Sequence, residues 1–192
     1  MEWKPLVPAD AARLMRGYEG LWWVGGGWAF DLFLNRTTRA HDDLDVVVLR
    51  DDQERMRQHL ADWDIQVAHG GGLTPWHGER LELPLHGLWA RPDRKAPWEL
   101  ELLLMESDGE RWLFRGDPRI TLPLEQVGLR RGNIPYLAPE IPLLYKSKEP
   151  RDRDEADFVA VLPELAPQRR AWLRAAIESQ DPSHPWVQVL VG

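Results

Sequence analysis

The sequence predicts an α+β fold, a mixed central sheet flanked by helices with a helical C-terminal part, and three observations carry that expectation. Residues 21–49 read as strand, turn, helix, loop and strand: an apolar run, three consecutive glycines, an amphipathic segment, a polar loop, and then Val46-Val47-Val48-Leu49. Residues 98–104 (WELELLL) alternate and then become wholly apolar, as expected of a strand entering a core. Beyond residue 138 the pattern is helical almost throughout.

Each element has its own local reason. Pro8 opens a first helix that stops near Gly17, since proline suits a first turn and glycine a helix end. Residues 21–24 form the first strand, and residues 28–34 a short helix behind the glycine turn. Asp51 and Asp52 place acids at the start of a helix running to about residue 61. A strand is predicted over 63–68, a glycine-rich loop over 69–75, short strands within 77–90 and a turn-rich connector over 91–97. Hairpins follow around Asp108-Gly109 and Gly132-Asn133, the second joining strands at 127–130 and 134–137. Helices are expected from Pro139 to Lys146, over 152–162 and over 167–177, and the tail from Pro185 reads as strand or coil. The chain is expected to be one domain over 1–192, with a mixed core over about 1–137 and a helical extension over about 138–192.

Bulk properties narrow the function. A net charge of −7 over 192 residues argues against a nucleic-acid surface, which needs clustered Lys and Arg, and suits a cationic small molecule. No cysteine is present, which excludes disulfides and thiolate metal sites. The longest apolar stretch is too short to cross a bilayer and the first residues do not read as a signal peptide, so a cytoplasmic protein without membrane contact is expected. With eleven tryptophans, core packing is the default reading of each, and some could line a cleft.

The chemistry concentrates in residues 25–45. If Asp43 and Asp45 open a strand, they share one face and repel each other unless a cation lies between them. Carboxylate oxygens suit a hard divalent ion such as Mg²⁺, which pairs one or two protein carboxylates with substrate phosphates. Gly25, Gly26 and Gly27 allow a tight turn and close approach of a ligand, and the helix from Trp28 favours an anion at its start. No Gly-x4-Gly-Lys phosphate loop and no Gly-x-Gly-x-x-Gly dinucleotide fingerprint occurs. Arg39 and His41 precede the acids; both could meet triphosphate oxygens, and His41 could equally orient the loop by a hydrogen bond. Asp31 could hold the same loop or be a solvated helix acid. Glu99 and Glu101 share a face of the apolar strand, a costly placement unless that face meets the metal site, and Glu101 lies deeper in the apolar run. Lys146, Lys148, Arg151 and Arg153 form the only dense basic cluster, which could also be a charged helix surface.

The stretch GGGWAFDLFLNRTTRAHDDLD resembles the DNA polymerase β-type nucleotidyltransferase superfamily, whose signature is a Gly-Gly or Gly-Ser turn followed by an acid-x-acid strand. Within that superfamily it is similar to the aminoglycoside 2″-nucleotidyltransferase-like family over about residues 22–49, more loosely at 98–104 and vaguely near the basic cluster. The resemblance implies a polymerase β-like nucleotidyltransferase fold with Asp43, Asp45 and Glu101 (Glu99 in reserve) holding one or two Mg²⁺. It implies contacts to the nucleotide from Gly25, Gly26, Gly27, Trp28, Arg39, His41 and Lys146. The implied reaction moves a nucleoside monophosphate from a nucleoside triphosphate, expected to be ATP, to a hydroxyl of an aminoglycoside-like antibiotic, with Glu101 as base or second-metal ligand. The family often has Asp where this chain has Glu101. The alternatives are a toxin-type nucleotidyltransferase acting on tRNA or protein, a non-catalytic nucleotide-binding protein of the same fold, and a glycosyltransferase. The last is disfavoured because its Asp-x-Asp typically ends a strand, whereas here the apolar run follows the acids.

Overall fold

The computed structural model describes residues 2–191. Helix α1 (Pro8–Leu14) leads to β1 (Trp22–Val24), α2 (Gly26–Leu34) and β2 (Asp45–Leu49). After a 3-10 turn at Arg50–Asp52 come α3 (Gln53–His59), β3 (Asp64–His69), β4 (Gly72–Pro75), β5 (Gly87–Arg91) and β6 (Leu100–Ser107). Then follow β7 (Arg111–Leu113), β8 (Thr121–Pro123), α4 (Leu124–Val127), β9 (Gly128–Arg131) and β10 (Ile134–Leu137). The chain closes with α5 (Glu140–Lys146), α6 (Asp152–Val161), α7 (Pro167–Glu178) and α8 (Pro185–Val189).

The sheet order is β4-β3-β5-β6-β2-β1-β10-β9, with β7 and β8 joined to the end of β6. Its centre is the parallel pair β2·β6, in which Asp45 lies opposite Glu101 and Val47 opposite Leu103. This pair is covered on both faces, which is why β2 reads as an unbroken apolar run rather than an alternation. Val46, Val48, Leu102 and Leu104 join the core containing α1 and α3. Val47, Leu49 and Met105 pack with Phe158, Leu173 and Trp186 of the C-terminal helices. Asp45 and Glu101 stand on this second face, one alternation before Val47 and Leu103, where the apolar layer gives way to cavity.

Several local expectations are corrected. Residues 72–75, expected as loop, form β4 and pair with β3, because Gly70 and Gly71 (φ +59° and +77°) close a tight hairpin. Of the short strands expected within 77–90 only β5 forms; the segment before it is pinned by the buried Arg50 guanidinium, which donates to the Leu81 and Leu85 carbonyls at 2.9 Å. β8 and α4 had no recognised pattern. The tail forms α8, with Pro185 at its first position and His184 Nδ1 accepting from the Trp186 backbone N–H at 3.1 Å; Gly192 lies outside the described residues. No helix among the described residues is long and apolar enough to cross a membrane.

Candidate active site

Asp45 is the first residue of β2, and Asp43 and Leu44 precede the strand rather than opening it. The buried Leu44 points into the α1/α3 core and its carbonyl accepts the Glu101 N–H at 3.0 Å, so Asp43 is set by this anchor and not by strand alternation. The result still brings the acids together: carboxylate oxygens of Asp43, Asp45 and Glu101 lie within 4.8 Å of one another. Glu99 is not in this cluster; it precedes β6, its carboxyl feels Lys4 and Asp10, and burial raises its pKa.

The cluster is electrostatically loaded. Burial, followed by the charges of Glu101 and Asp43, pushes Asp45 up to about 8, against the opposing pull of Lys146 and Arg153. Burial and Asp43 push Glu101 to about 7, while a hydrogen bond from Trp89 works the other way. Three convergent carboxylates in this state match the oxygen donors of a hard divalent cation, which would relieve their repulsion. The residues therefore fit Mg²⁺.

The glycine turn is shaped to this cluster. Gly25 caps α2, and its N–H is bonded to the Asp45 carbonyl at 2.9 Å. Gly26 has φ +54°, and a Cβ there would collide with the Asp45 carboxylate. Gly27 is the second residue of α2, where a Cβ would strike Arg39 and His41. The helix thus starts at Gly26, two residues earlier than expected, with its first-turn N–H groups at the edge of the acid cluster.

The loop before Asp43 is held by α2. The buried Asp31 accepts from Thr38 N at 2.9 Å and Thr38 Oγ1 at 2.6 Å through one oxygen, and contacts His41 Nε2 at 2.7 Å through the other. The His41 ring lies 4.4 Å from that of Trp28, whose indole N–H donates to the Asp43 carbonyl at 3.1 Å. Of the two readings of Asp31, the loop-holding one is observed. His41 and Trp28 are in the orienting position, supporting the loop from within, the alternative the sequence left open for His41. Asp31→Ala leaves two hydroxyl or amide donors and an imidazole without their acceptor; a loss of about 2–4 kcal/mol is expected, read as a lower urea midpoint.

Arg39 is likewise engaged. Its Nε and Nη2 bond both Asp157 oxygens at 3.1 Å, tying the loop to α6 across 118 residues. Its Nη2 also lies beside Gly27 at the start of α2, so the clamped guanidinium stands at the edge of the glycine turn. Lys146 is paired with Asp154 and lies 3.4 Å from Asp157. Arg151 bonds Asp154 at 2.7 Å, and these cations hold the Asp154 carboxyl well below its usual range despite burial.

Two cavities meet the acids. One, about 470 Å³, reaches from Gly26 and Asp45 to Lys146 and is flanked by Arg115, Lys148 and Arg151. Glu149 and Asp154 also border it, and Val47, Leu103, Leu137 and Tyr145 give it apolar walls. Arg115 sits 5.2 Å above the Tyr145 ring. The other, about 420 Å³, holds Asp43 and Glu101 together with Asp42, Trp3 and Trp89. Sequence reading missed Arg115, Tyr145, Asp157, Trp3 and Trp89. Asp154 and Asp157, three apart on a predicted helix beside a basic cluster, carried a usable signal; the others had none.

With its parallel β2·β6 pair bearing acids at one edge under a glycine-started helix, the chain has the nucleotidyltransferase fold of the structures compared below. Residues 10–76 match the family described as aminoglycoside-2″-adenylyltransferase. A 2″-aminoglycoside nucleotidyltransferase of Escherichia coli is 62% identical over 24 residues, a stretch that is 12% of this chain and 14% of that protein. Over whole chains, the solution structure of the antibiotic-resistance factor ANT(2″)-Ia superposes with a TM-score of 0.59 at 18% identity, covering 92% of this chain and 96% of the other. Its crystal structure with adenylyl-2″-tobramycin gives 0.56 at 17% identity, covering 88% and 93%. The lincosamide antibiotic adenylyltransferase LnuA, bound to lincomycin, gives 0.56 at 16% identity, covering 84% and 98%.

Proposed function

We propose that this protein is an adenylyltransferase that moves AMP from ATP to a hydroxyl of a small antibiotic-like acceptor. The observation that carries the reading is the convergence of Asp43, Asp45 and Glu101 beneath the Gly26 turn. The family match over residues 10–76 and the adenylylated tobramycin bound by a protein of the same fold support the choice of ATP and of an aminoglycoside-like acceptor.

Asp43, Asp45 and Glu101 would hold one or two Mg²⁺, which, when bound, supplies electrostatic stabilisation to the attacking and leaving oxygens. The triphosphate fits the first cavity, where the start of α2 presents N–H groups and Arg115, Lys146, Lys148 and Arg151 supply positive charge. The apolar walls and the Tyr145 ring suit a nucleobase. The acceptor hydroxyl oxygen bonds to the α-phosphorus, the bond to the bridging oxygen breaks, and pyrophosphate departs on the cationic side. Glu101 faces the other cavity, where its carboxylate takes the hydroxyl proton.

The test is incubation with Mg²⁺, each nucleoside triphosphate, and tobramycin or lincomycin, followed by mass spectrometry for an added nucleoside monophosphate. An adduct with ATP supports the reading, and release of pyrophosphate with neither acceptor modified overturns the acceptor class. Glu101→Gln is expected to slow single-turnover transfer by about 10²-fold or more, the usual scale for a general base, and Glu99→Gln by less than about threefold, because only Glu101 joins the cluster. The reverse order would exchange their roles.

A further inference from the structure

We propose that the second cavity is the acceptor subsite and that Trp3, carried by the N-terminal segment, is its specificity-determining wall for an amine-bearing, ring-shaped acceptor. This rests on the adenylyl-transfer reading above and adds to it the face, the residue and the chemistry of recognition.

In an in-line displacement the attacking and leaving oxygens lie on opposite sides of the phosphorus. The cationic cavity touches the cluster through Asp45, the other cavity through Asp43 and Glu101, so the acids themselves divide the two compartments. If pyrophosphate leaves among Lys146, Lys148 and Arg151, the acceptor enters from the side of Glu101.

That side has a distinct chemistry. Its described lining contains no lysine or arginine and includes three carboxylates, Asp42, Asp43 and Glu101. Arg153 reaches Asp42 only at 3.7 Å, with both side chains substantially exposed, a pairing that leaves Asp42 open to another cation. The remaining lining is Pro5, His41 and two indoles, Trp3 and Trp89. Trp3 meets Trp89 edge-on at 4.8 Å, and Trp89 meets Trp98 at 5.8 Å. Arg91 covers the far side of Trp98 at 4.1 Å, closing the row at its outer end.

Trp3 is placed by backbone pairing: Lys4 N donates to the Trp98 carbonyl at 2.9 Å, Leu6 N to the Glu99 carbonyl at 2.9 Å, and Trp98 N to the Glu2 carbonyl at 3.0 Å. The segment therefore forms an isolated parallel bridge to the residues just before β6 and holds a half-buried indole at the cavity wall by backbone bonds within the chain. Indole faces attract both the C–H faces of sugar rings and ammonium groups, while the neighbouring carboxylates accept charge-assisted hydrogen bonds. Trp89 also donates to Glu101, so the same row touches the acid that faces the acceptor.

The experiment measures AMP transfer from Mg-ATP to tobramycin by wild type, Trp3→Ala and Trp3→Phe, with melting temperatures recorded for each. Expected is a rise in KM for tobramycin of about tenfold in Trp3→Ala, the scale of one lost aromatic contact, with the KM for ATP unchanged within about twofold and most of the affinity restored in Trp3→Phe. An unchanged tobramycin KM, or equal rises for tobramycin and ATP, would overturn the proposal. Should Trp3→Ala fail to fold, titration of the wild-type protein with tobramycin alone decides, read by NMR from the indole N–H signals assigned with Trp3→Phe. Shifts at Trp3 and Trp89 but not at Trp172 support the subsite, and unmoved Trp3 and Trp89 signals reject it. Absence of AMP transfer in the wild type would count against adenylyl transfer alone, since the titration tests the subsite without nucleotide.

Discussion

Asp45→Asn is expected to lower pyrophosphate release from ATP by roughly 10³-fold or more, the scale on which electrostatic stabilisation of a transition state is lost. Asp45 is the member of the acid cluster that borders both the glycine turn and the cationic cavity. The same substitution should stabilise the metal-free protein at alkaline pH. In the folded chain Asp45 is pushed up to about 8 from an ordinary value of 3.8, so between these limits the folded state binds a proton that the unfolded state has released. Wild-type stability therefore falls as pH rises from about 4 to about 8, whereas the neutral amide escapes that loss. In EDTA the variant should melt higher than wild type at pH 8, by about 4–8 °C for a difference on the order of 2 kcal/mol, and the two should converge near pH 4. Retained turnover, or equal melting at pH 8, would remove Asp45 from the position assigned to it.

Gly26→Ala should produce the second large effect. The residue has φ +54°, unfavourable for any L side chain, and the added Cβ would run into the Asp45 carboxylate. Backbone strain of about 1–2 kcal/mol adds to displacement of the carboxylate proposed to hold the metal, and misplacement by about 1 Å is enough for a roughly 10²-fold rate loss. Thermal melts and single-turnover transfer separate the two parts. A variant with wild-type rate would show that the turn is not shaped to the acids. At Gly25, by contrast, the contacts of an added Cβ would be with Val47 and Asp45 side-chain carbons, so the expected cost is packing before chemistry.

The legible parts of this molecule are those written in local pattern. The glycine turn, the apolar β2 and the WELELLL strand each carry their periodicity within a few residues, and the depth of Glu101 in that strand sets it apart from Glu99, which lies outside the carboxylate cluster. Asp43 was placed in the right cluster for a partly wrong reason: alternation was invoked, but the anchor is Leu44 in the core. The partners of Arg39 and His41 were not legible in the same way. The acid that holds the Arg39 guanidinium, Asp157, lies 118 residues later in the chain, beyond the reach of any local pattern. Trp3 was hidden more deeply, because a lone indole near a terminus acquires meaning only when backbone pairing sets it against Trp89. β4 and α8 were misread because short segments take their conformation from what they pack on, a constraint that periodicity over four or five residues does not express.

The carboxylates of α6 have a consequence for how tightly nucleotide is held. Lys146 and Arg151 reach the cavity sharing the single carboxylate of Asp154, and Lys146 and Arg39 share Asp157, so these three cations are only partly offset. An incoming polyanion therefore meets cations that already have negative partners, and drawing Lys146 away from Asp154 and Asp157 would loosen a tie between α5 and α6. On the proposed function, affinity for nucleotide should accordingly respond to ionic strength less steeply than the number of nearby lysines and arginines implies, and the waiting counter-charge of Asp154 and Asp157 would assist departure of pyrophosphate.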